Sequence, residues 1–506
     1  MTMTQQNQRK ISVSPSIAAR ELLTRRRARE SLVEFCKYVD RDYRAPKHIR
    51  LLADSLQQVE KYIATGGREG VGRLIVNMPP RHGKSETGSK RFPSFVLGRH
   101  QDWHIALVAY GDEIASDFSR ANRSLCADNP DYRILFPDVI MHPASSAVQR
   151  WALKNGDADN PNVVATGMGG SLTGRGFQLI IIDDPVKNRA EAESKTYRDH
   201  LHDAYRGTIR TRLEPGGAIV IICTRWHEDD LPGWLLEQNK IGEGEKWEVL
   251  NLTAISEGED DNTGRKSGDA LWAKRFDSPS LLQTKAALGS YDWESQYMGR
   301  PKPPKGGKIQ RSWFKIIDQL PPQFRSIDGS APSETLSWYR YYDLAVTAKE
   351  TSNWTASARV AFDSDGNMYI ADMVRDKIEA PDQLKMIKRL MLSEKSINTQ
   401  HGIEKAMQGA SFVQLLLTDP DLRGVPFKGV DVDKDKLTRA LPWIARAENG
   451  KVYLIAGSWV SAFLDECANF TGNNDKEDDQ IDSISGGAAM AGLKPKVLQT
   501  TSNPFY

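Results

Sequence analysis

The sequence predicts an α/β protein in two successive parts, of which the first has a mostly parallel, doubly wound sheet. From about residue 73 to residue 252, short apolar strands alternate with helical stretches. Near-continuous apolar strands separated by helices are typical of a parallel sheet that helices cover on both faces. The segment Arg300–Gly307 (RPKPPKGG) then breaks the pattern with three prolines and two glycines, which suit a linker or an extended clip. Beyond it, strands and helices follow in a different order, so a second α/β part is expected there.

The size and composition are those of an ordinary globular protein. The 506 residues allow two to four domains, at roughly 150 residues per domain. Hydrophobic residues make up 39% and charged residues 26% of the chain, and no run of about 18 apolar residues predicts a membrane span. Met1–Ile17 is polar, so no secretory signal is expected. Four scattered cysteines indicate reduced thiols in a cytosolic protein.

The net charge does not by itself indicate a partner. Lysine and arginine number 68 and aspartate and glutamate 66, which leaves +2. Any contact with nucleic acid must therefore come from local patches. Arg25–Arg29 (RRRAR) is one candidate, and a solvated helix face is the alternative.

The first domain is expected over residues 31–255. Residues 1–30 are expected to form a flexible N-terminal arm, with helical periodicity from about residue 21. The predicted strands of the first sheet are Arg73–Met78, Trp103–Tyr110, Asn162–Thr166, Leu179–Asp183, Ala218–Cys223 and Trp247–Leu252. The connecting region over residues 256–335 has no pattern that assigns a fold.

The second domain is expected over residues 336–490, followed by a C-terminal tail over 491–506. Three strands, Trp338–Leu344, Asn353–Phe362 and Met368–Val374, are predicted to form an antiparallel meander. Helices then alternate with strands, one ending near Glu404 and another near Phe427–Val432. Three antiparallel strands followed by this alternation fit a ribonuclease-H-like core.

A phosphate-binding loop is predicted at Met78–Ser85 (MPPRHGKS), directly after the first predicted strand. The pattern is close to the P-loop, G-x-x-x-x-G-K-S/T, although Met78 replaces the first glycine. In such a loop, backbone N–H groups around Gly83 would face phosphate, Lys84 would reach the β- and γ-phosphates, and the Ser85 hydroxyl would hold Mg²⁺. An ordinary surface turn is the alternative.

A second motif of the same kind of site follows about a hundred residues later. Leu179–Asp184 (LIIIDD) is an apolar strand that ends in two carboxylates. Asp183 is expected over Mg²⁺, and Asp184 is expected to orient or deprotonate the attacking water. The alternative, a strand that ends in an acidic turn, loses weight because the pair follows a P-loop-like motif in the same alternating pattern.

A third apolar strand ends in the polar cluster Thr224–His227 (TRWH). The carboxyl ends of parallel strands meet at one edge of a sheet, where ligands bind. Thr224 is therefore expected to sense the γ-phosphate of ATP. Arg225 and His227 would either bind phosphate or form salt bridges.

Together these motifs resemble the large terminase subunit of tailed bacteriophages. The residues that carry the resemblance follow one another along the chain: Pro79–Ser85, Gly170–Gly176, Ile182–Pro185 and Thr224–Leu231, then Asp343, Glu404 and Asp478-Asp479. The resemblance extends from about residue 30 to 490. No single motif is specific, but their joint occurrence in this order is.

The resemblance implies a motor that pumps double-stranded viral DNA into a procapsid with ATP and cuts concatemeric DNA. It implies a ring, commonly of five subunits, that acts with the portal protein and a small terminase subunit. Such a protein works in the host cytoplasm and transiently at the portal vertex, with no membrane partner.

Loops in the family often lack the first glycine, and a basic residue at the position of Arg81 contacts phosphate. Pro46–His48 resembles the family's adenine-contact region, and an ordinary loop before a helix is the alternative. An arginine supplied in trans is also implied, and the candidates stay open: Arg175, Arg206, Arg210 and Arg212.

Metal-dependent cutting of DNA needs carboxylates that converge from distant parts of the chain. Asp343 is the strongest candidate, because it lies in an apolar-aromatic strand where an unpaired carboxylate is costly to bury. Glu404 ends the predicted fourth strand, which should lie beside the first. A turn-capping aspartate and a surface glutamate are the respective alternatives. Both are expected to bind Mg²⁺ or Mn²⁺ and to be catalytic.

The acidic run Asp475–Asp482 is expected to open a helix, where acids favour the helix dipole whatever their function. In the family, the last nuclease motif is an Asp-Asp pair followed three residues later by another Asp. Asp479 is favoured as the third metal ligand, then Asp482 as a further catalytic carboxylate, then Asp478, and the spacing does not separate them. Three basic residues nearby are expected to grip the DNA backbone or to lie on a solvated helix face: Lys434, Lys436 and Arg439.

Three other functions share parts of this pattern. A helicase or repair-type ATPase with an attached nuclease would separate strands, which a packaging motor need not do. A structural adapter at the capsid portal would have degenerate sites, against which the joint presence of Lys84, Asp183, Asp184 and Asp343 argues. A transposase-like enzyme shares the carboxylate core but not the P-loop half.

Overall fold

The computed structural model describes residues 14–156, 159–172, 174–258, 261–301, 308–326, 331–345, 354–397, 399–406, 408–432, 435–472, 475 and 477–492. The chain divides into two compact units, the first comprising Met1–Ser278 and Ser295–Arg300, the second Pro279–Glu294 and Pro301–Tyr506. Three predicted features lie wholly or partly outside the described residues: positions 1–13 of the N-terminal arm, 302–307 of the linker and 493–506 of the tail. No helix in the described ranges is long and apolar enough to cross a membrane.

In the described part of the first unit, eight strands form one sheet. They are β1 (Arg73–Asn77), β2 (Ile105–Ala109), β3 (Met141–Ala147), β4 (Arg150–Leu153), β5 (Val163–Gly167), β6 (Phe177–Asp183), β7 (Leu213–Cys223) and β8 (Glu248–Asn251). Their order is β3-β4-β5-β2-β6-β7-β1-β8. Six strands run parallel, and the hairpin of β3 and β4 adds an antiparallel edge. The predicted mostly parallel sheet is therefore confirmed.

The helices of the first unit cover both faces of this sheet. They are α1 (Pro15–Glu30), α2 (Leu32–Val39), α3 (Lys47–Ala64), α4 (Lys84–Gly88), α5 (Phe92–Arg99), α6 (Asp112–Asp128), α7 (Pro130–Leu135), α8 (Arg189–Glu193), α9 (Lys195–Ala204) and α10 (Leu231–Lys240). Alternate residues of β2 pack in opposite layers: Ile105 and Leu107 share a cluster with α3, whereas Ala106 and Val108 share one with α9 and α10. This two-sided burial explains the uninterrupted apolar strands.

Residues 15–30 correct the expectation of a flexible arm, because they form helix α1. The Ser14 side chain accepts from the backbone N–H of Ile17, and Pro15 occupies the first turn, where its missing N–H costs nothing. Further along, Ala28 is fully buried, and Arg29 donates to the carbonyl of Leu135 at 2.7 Å. The end of the helix is therefore anchored to the unit.

In the described part of the second unit, seven strands form the sheet. They are β9 (Phe314–Ile317), β10 (Trp338–Asp343), β11 (Thr355–Phe362), β12 (Met368–Asp376), β13 (Thr399–Glu404), β14 (Phe427–Val430) and β15 (Val452–Ile455). Their order is β14-β13-β10-β11-β12-β15-β9. β10, β11 and β12 are antiparallel, while β13 runs parallel to β10 on its other side and β14 parallel to β13. This is the ribonuclease-H-like order that the sequence predicts, with β15 and β9 added at one edge.

The helices from residue 278 onward are α11 (Ser278–Leu288), α12 (Ser290–Asp292), α13 (Ala380–Ser393), α14 (Gly409–Leu417), α15 (Lys436–Glu448), α16 (Val460–Asn469) and α17 (Asp479–Met490). Helix α17 lies against β10 and β11. Its Gly486 permits that close approach, because a Cβ there would come within 2.3 Å of the Tyr341 ring. The N-terminal turn of α17 carries Asp479 and Asp482.

Candidate active sites

The loop between β1 and α4 turns back through two residues with left-handed backbone. Gly83 has φ of 91°, and a Cβ there would also meet the Ile49 side chain at 3.0 Å, so glycine is required. Arg81 has φ of 61°, a conformation that costs a residue with a side chain roughly 1 kcal/mol or more. The Arg81 side chain is exposed. Its positive charge opposes the rise that burial causes in the pKa of Tyr297.

Lys84 joins three elements of the first unit at the carboxyl edge of the sheet. Its Nζ donates to Thr224 Oγ1 at 2.8 Å, just after β7, and pairs with Asp184 Oδ2 at 2.9 Å, just after β6. Only 6% of Lys84 is exposed. Burial lowers the pKa of this ammonium, but Asp184 and Asp183 outweigh that effect and raise it. The structure thus brings together the three motifs that the sequence predicted to meet.

Asp183 is held by two hydroxyl groups of the segment that follows the loop. Ser85 Oγ donates to Asp183 Oδ1 at 2.9 Å, and Ser89 Oγ donates to Asp183 Oδ2. Burial, and then the neighbouring Asp184, raise the pKa of Asp183 to about 7, although Lys84 and both serines oppose the rise. Sequence reasoning missed Ser89. Its signal was the position one helical turn after Ser85.

Asp184 turns away from β6 with φ of 42°, a left-handed conformation that aspartate tolerates better than most residues. Its Oδ1 accepts from the backbone N–H of Thr224 at 2.7 Å, while its Oδ2 faces Lys84. The two carboxylates of the pair therefore have different partners. Asp183 is bound to hydroxyl groups, and Asp184 is bound to the lysine and to the end of β7.

Arg225 adopts the salt-bridge alternative, whereas His227 accepts a backbone hydrogen bond and burial lowers the pKa of its ring. Arg225 Nε donates to both carboxylate oxygens of Asp230 at 2.9 Å, and the pair is almost fully buried. His227 Nδ1 accepts from the backbone N–H of Asp229 at 3.0 Å, and its Nε2 lies 4.0 Å from Glu193. These contacts shape the turn after β7.

A cluster of aromatic side chains surrounds His82 of the loop between β1 and α4, on the side of α3. His48 Nε2 lies 3.1 Å from the His82 carbonyl oxygen, and its ring lies 5.4 Å from the Trp272 ring. The His82 ring lies 4.9 Å from the Phe276 ring. Burial lowers the pKa of His48 to about 4 and that of His82 to about 3, so both rings are neutral. Sequence reasoning missed Trp272 and Phe276, since they lie in the region without an assigned fold.

The four arginines considered for a role in trans lie away from the carboxyl edge or are paired. Arg175 precedes β6, which spans about 20 Å, so it lies at the opposite end of the strand from Asp183. Arg212 precedes β7 in the same way, and its buried Nε has no partner among the described residues. The other two form ion pairs: Arg206 with Asp203 at 2.6 Å, and Arg210 with Glu245 at 2.8 Å.

The second unit gathers its predicted carboxylates at one edge of its sheet. Asp343 ends β10 and Glu404 ends β13, and these strands are parallel neighbours, so their carboxyl ends coincide. Helix α17 adds Asp479 and Asp482. Burial, and then the charges of Asp482, Glu404 and Asp479, hold the pKa of Asp343 well above its usual range. Asp482, Glu404 and Asp479 therefore each lie close enough to Asp343 to repel its charge.

The three candidate acids at the start of α17 have different partners. Asp478 Oδ1 and Asp482 Oδ2 both accept from Lys436 Nζ, at 2.6 and 2.9 Å, and Asp482 Oδ1 accepts from Arg439 at 2.8 Å. Asp479 Oδ2 instead accepts from a backbone N–H, that of Trp354, at 3.1 Å. Burial raises the pKa of Asp479 to about 6. The three acids, which the spacing does not distinguish, therefore differ in their partners.

Lys436 and Arg439 therefore contact the acids of the cluster. The sequence predicted that they either bind the DNA backbone or lie on a solvated helix face, and it did not predict these ion pairs. Lys434 lies outside the described residues. Tyr341 is a further contact that the sequence missed, since its hydroxyl donates to Glu404 Oε2 at 3.1 Å. Its signal was the alternation along β10, which places Tyr341 and Asp343 on the same face.

The chemistry of both sites fits hard divalent cations, which prefer oxygen ligands. At the first site the donors are one hydroxyl and one carboxylate, Ser85 and Asp183. At the second they are carboxylates whose mutual repulsion a divalent cation would relieve. Within the described ranges, no three Asp, Glu, His or Cys side chains are already arranged to chelate a metal. At the second site, Lys436 and Arg439 hold two of the acids instead.

Comparison with known proteins places both units in one family. Residues 75–316 match the family model described as terminase large subunit, T4likevirus-type, N-terminal, and residues 340–490 match the terminase RNaseH-like domain. The two models together cover more than three quarters of the chain. No curated protein sequence matches it.

Several solved structures align with this chain at low identity and with TM-scores below 0.5. The large terminase of bacteriophage HK97 is 12% identical and aligns over 91% of this chain and 99% of its own, with a TM-score of 0.35. The large terminase of a thermophilic bacteriophage in complex with ATP-gamma-S is 10% identical over 85% and 97%, with a TM-score of 0.45. The nuclease of phage G20c with bound magnesium is 15% identical over 37% and 98%, with a TM-score of 0.26.

The predicted combination of an ATPase followed by a ribonuclease-H-like nuclease is thus confirmed by the two family models. The chain belongs to the large terminase subunits, the ATP-driven motors of viral DNA packaging that also cut DNA.

Proposed function

We propose that ATP and Mg²⁺ bind at the carboxyl edge of the first sheet, in a motor domain over residues 31–255. The observation that supports this most strongly is the convergence of Lys84, Asp183, Asp184 and Thr224 from three separate segments. The Lys84 ammonium, which Asp184 and Thr224 now hold, could exchange these partners for phosphate oxygens without leaving the site. The nuclease domain over 336–490 would follow the connecting region over 256–335, whose strand β9 adds to the edge of the second sheet.

The residues of the motor site would divide the work of phosphoryl transfer. Lys84 would neutralise the β- and γ-phosphates, while the backbone at Gly83 and the side chain of Arg81 would contact phosphate oxygens. Ser85 and Asp183 would hold Mg²⁺, which offsets the negative charge of the phosphates when bound. Asp184 would orient the attacking water or accept its proton.

Thr224 would couple the γ-phosphate to the end of β7. Its hydroxyl accepts from Lys84 and its backbone N–H donates to Asp184, so it contacts both the residue that would bind the γ-phosphate and the residue that would orient the attacking water. Loss of the γ-phosphate would change these two contacts together. The turn after β7, which contains the buried Arg225–Asp230 pair, would transmit the change.

In the nuclease domain, Asp343, Glu404 and Asp479 would bind Mg²⁺ or Mn²⁺ at the scissile phosphate. Asp479 is preferred over Asp478 and Asp482 because its partner is a backbone N–H, whereas the other two are paired with cations. Asp482 would be a catalytic carboxylate at the edge of the metal site. A divalent ion bound by carboxylates activates water and stabilises the charge that develops on the phosphate.

The partners follow from the family assignment. We infer double-stranded viral DNA as the substrate, the portal protein of the procapsid as the docking site and a small terminase subunit as the guide. The assembled state would be a ring of five copies. It would form in the host cytoplasm and act transiently at the portal vertex. A helicase with an attached nuclease is the second candidate, and strand displacement on a forked duplex would support it instead.

The test is a pair of single substitutions in the full chain. Lys84→Ala is expected to abolish ATP hydrolysis and leave metal-dependent cleavage of plasmid DNA intact. Asp343→Ala is expected to do the reverse. If both activities fell together in each folded variant, the division into two sites would be wrong. If Asp343→Ala cut as well as the wild type, the nuclease centre would lie elsewhere.

A further inference from the structure

The N-terminus of α17 is capped in an unusual way for a helix that begins with acids. The first backbone N–H groups of a helix lack intrahelical partners, and a nearby aspartate usually accepts from them. Asp478 occupies the cap position but makes no side-chain hydrogen bond to the helix. Its carboxylate instead binds Lys436 at 2.6 Å. The N–H groups of the first turn therefore need another acceptor.

Glu466, on the neighbouring helix α16, supplies that acceptor. Its Oε1 accepts from the backbone N–H of Gln480 at 2.9 Å and from that of Ile481 at 3.1 Å. Its Oε2 accepts from the side-chain amide of Gln480 at 2.6 Å. Only 3% of Glu466 is exposed, and Arg375 lies 3.9 Å from its Oε2. This side chain is thus committed to the start of α17.

Because Glu466 binds the first N–H groups of α17, the carboxylates of Asp479 and Asp482 contact other partners. Asp479 lies directly before the two N–H groups that Glu466 binds, and Asp482 directly after them. A carboxylate is costly to bury unless hydrogen bonds compensate for its lost hydration. Glu466 obtains these hydrogen bonds from two backbone N–H groups at this helix end and from the side-chain amide of Gln480.

We propose that Glu466 is a positioning residue of the nuclease centre. It caps α17 from outside the helix, so that Asp479 and Asp482 face the cluster of Asp343 and Glu404 in a fixed orientation. The inference rests on the proposed function of that cluster. Glu466 itself contacts neither metal nor DNA in this role.

The test is the affinity of the full chain for Mn²⁺ without nucleotide, measured by calorimetry. The heat that disappears in Asp479→Asn identifies the nuclease centre. Glu466→Ala is expected to weaken this binding by about 10- to 100-fold, the range typical of residues that support metal ligands. Glu466→Gln is expected to bind nearly as well as the wild type, because its carbonyl oxygen can still accept from both N–H groups. Cleavage by Glu466→Ala is expected to recover at high Mn²⁺.

A matched control is available in the same unit. Glu448 at the end of α15 also caps another helix from outside, since its Oε2 accepts from the backbone N–H of Ser290 at the start of α12 at 2.8 Å. Glu448→Ala is expected to leave Mn²⁺ binding unchanged. If it weakened binding as much as Glu466→Ala does, the effect would be general loss of stability and the proposal would be overturned.

Two further outcomes distinguish the role of Glu466 from the proposed nuclease centre on which it rests. Normal Mn²⁺ binding by Glu466→Ala, with binding lost in Asp479→Asn, would overturn the role of Glu466 alone. Normal binding by Asp479→Asn would overturn the proposed nuclease centre itself. If Glu466→Ala does not fold, Glu466→Asp replaces it. That variant keeps the charge but is too short by one methylene, so unchanged affinity would overturn the proposal.

Discussion

Asp183 is held by two serine hydroxyl groups, of which only Ser85 belongs to a recognisable motif. Ser89→Ala removes the second hydrogen bond and leaves Asp183 Oδ2 without that donor. We expect the Mg²⁺ concentration for half-maximal ATP hydrolysis to rise about 10-fold, since a supporting residue fixes the orientation of a metal ligand. Steady-state ATPase assays across a Mg²⁺ series measure it. Ser94→Ala is the control, because its buried hydroxyl donates to Asn122 in the same unit. A similar Mg²⁺ shift in both variants would rule out a specific role for Ser89.

His48 couples the stability of the first unit to pH. Burial lowers its pKa from 6.5 to about 4, so the unfolded chain takes up a proton at a higher pH than the folded chain does. The stability that the neutral ring contributes is present above pH 6.5 and is lost as the pH falls toward about 4. We expect His48→Gln to lose less thermal stability than the wild type between about pH 7 and about pH 5.

Thermal unfolding followed by circular dichroism over that pH range measures the effect. His200→Gln is the matched control, because His200 is exposed. Its unfolding temperature should follow that of the wild type at every pH. Parallel curves for the wild type and His48→Gln would mean that His48 does not carry the pH dependence.

At the scale of an element, the approach of α17 to its sheet decides where two catalytic candidates lie. Gly486→Ala would place a Cβ 2.3 Å from the Tyr341 ring, so the helix must shift away from β10. We expect a loss of about 1–3 kcal/mol of unfolding free energy, as for other overpacked sites, and a much larger loss of DNA cleavage than of ATP hydrolysis. Cleavage and ATPase assays on the same preparation compare the two. Gly207→Ala, where a Cβ would meet nothing within 4 Å, should affect neither activity through crowding.

The strands differ in how well the sequence predicts them. β6 and β10 were predictable because continuous apolar or aromatic runs end there in carboxylates. β9 and β3 were not predictable. β9 has only four residues, the residues of β3 are exposed or half-buried, and neither strand contains such a run. Supporting contacts were harder still: Ser89 meets Asp183 across 94 positions, and Glu466 meets the start of α17 across 14. No local pattern marks such a partner, so the ligands of a site are more predictable than the residues that orient them.

At the scale of the whole molecule, the division into two compact units predicts that each activity survives the loss of the other. This makes mixed assemblies informative about the proposed ring. We expect that adding Lys84→Ala subunits to the wild type will reduce DNA packaging more steeply than in proportion to the wild-type fraction, because one inactive subunit interrupts a ring whose members act in turn. The measurement is the amount of nuclease-protected DNA in procapsids, with total subunit concentration held constant.

Asp343→Ala provides the contrast in that experiment, since its motor site is unaltered. Supplied with DNA that is already linear, mixtures containing it should package as well as the wild type alone, whereas mixtures containing Lys84→Ala should fail early. A proportional decline with Lys84→Ala would mean that the copies work independently, and the ring would lose its support. A steep decline with Asp343→Ala on linear DNA would mean instead that the nuclease carboxylates are needed for translocation itself, which would join the two sites in a single cycle.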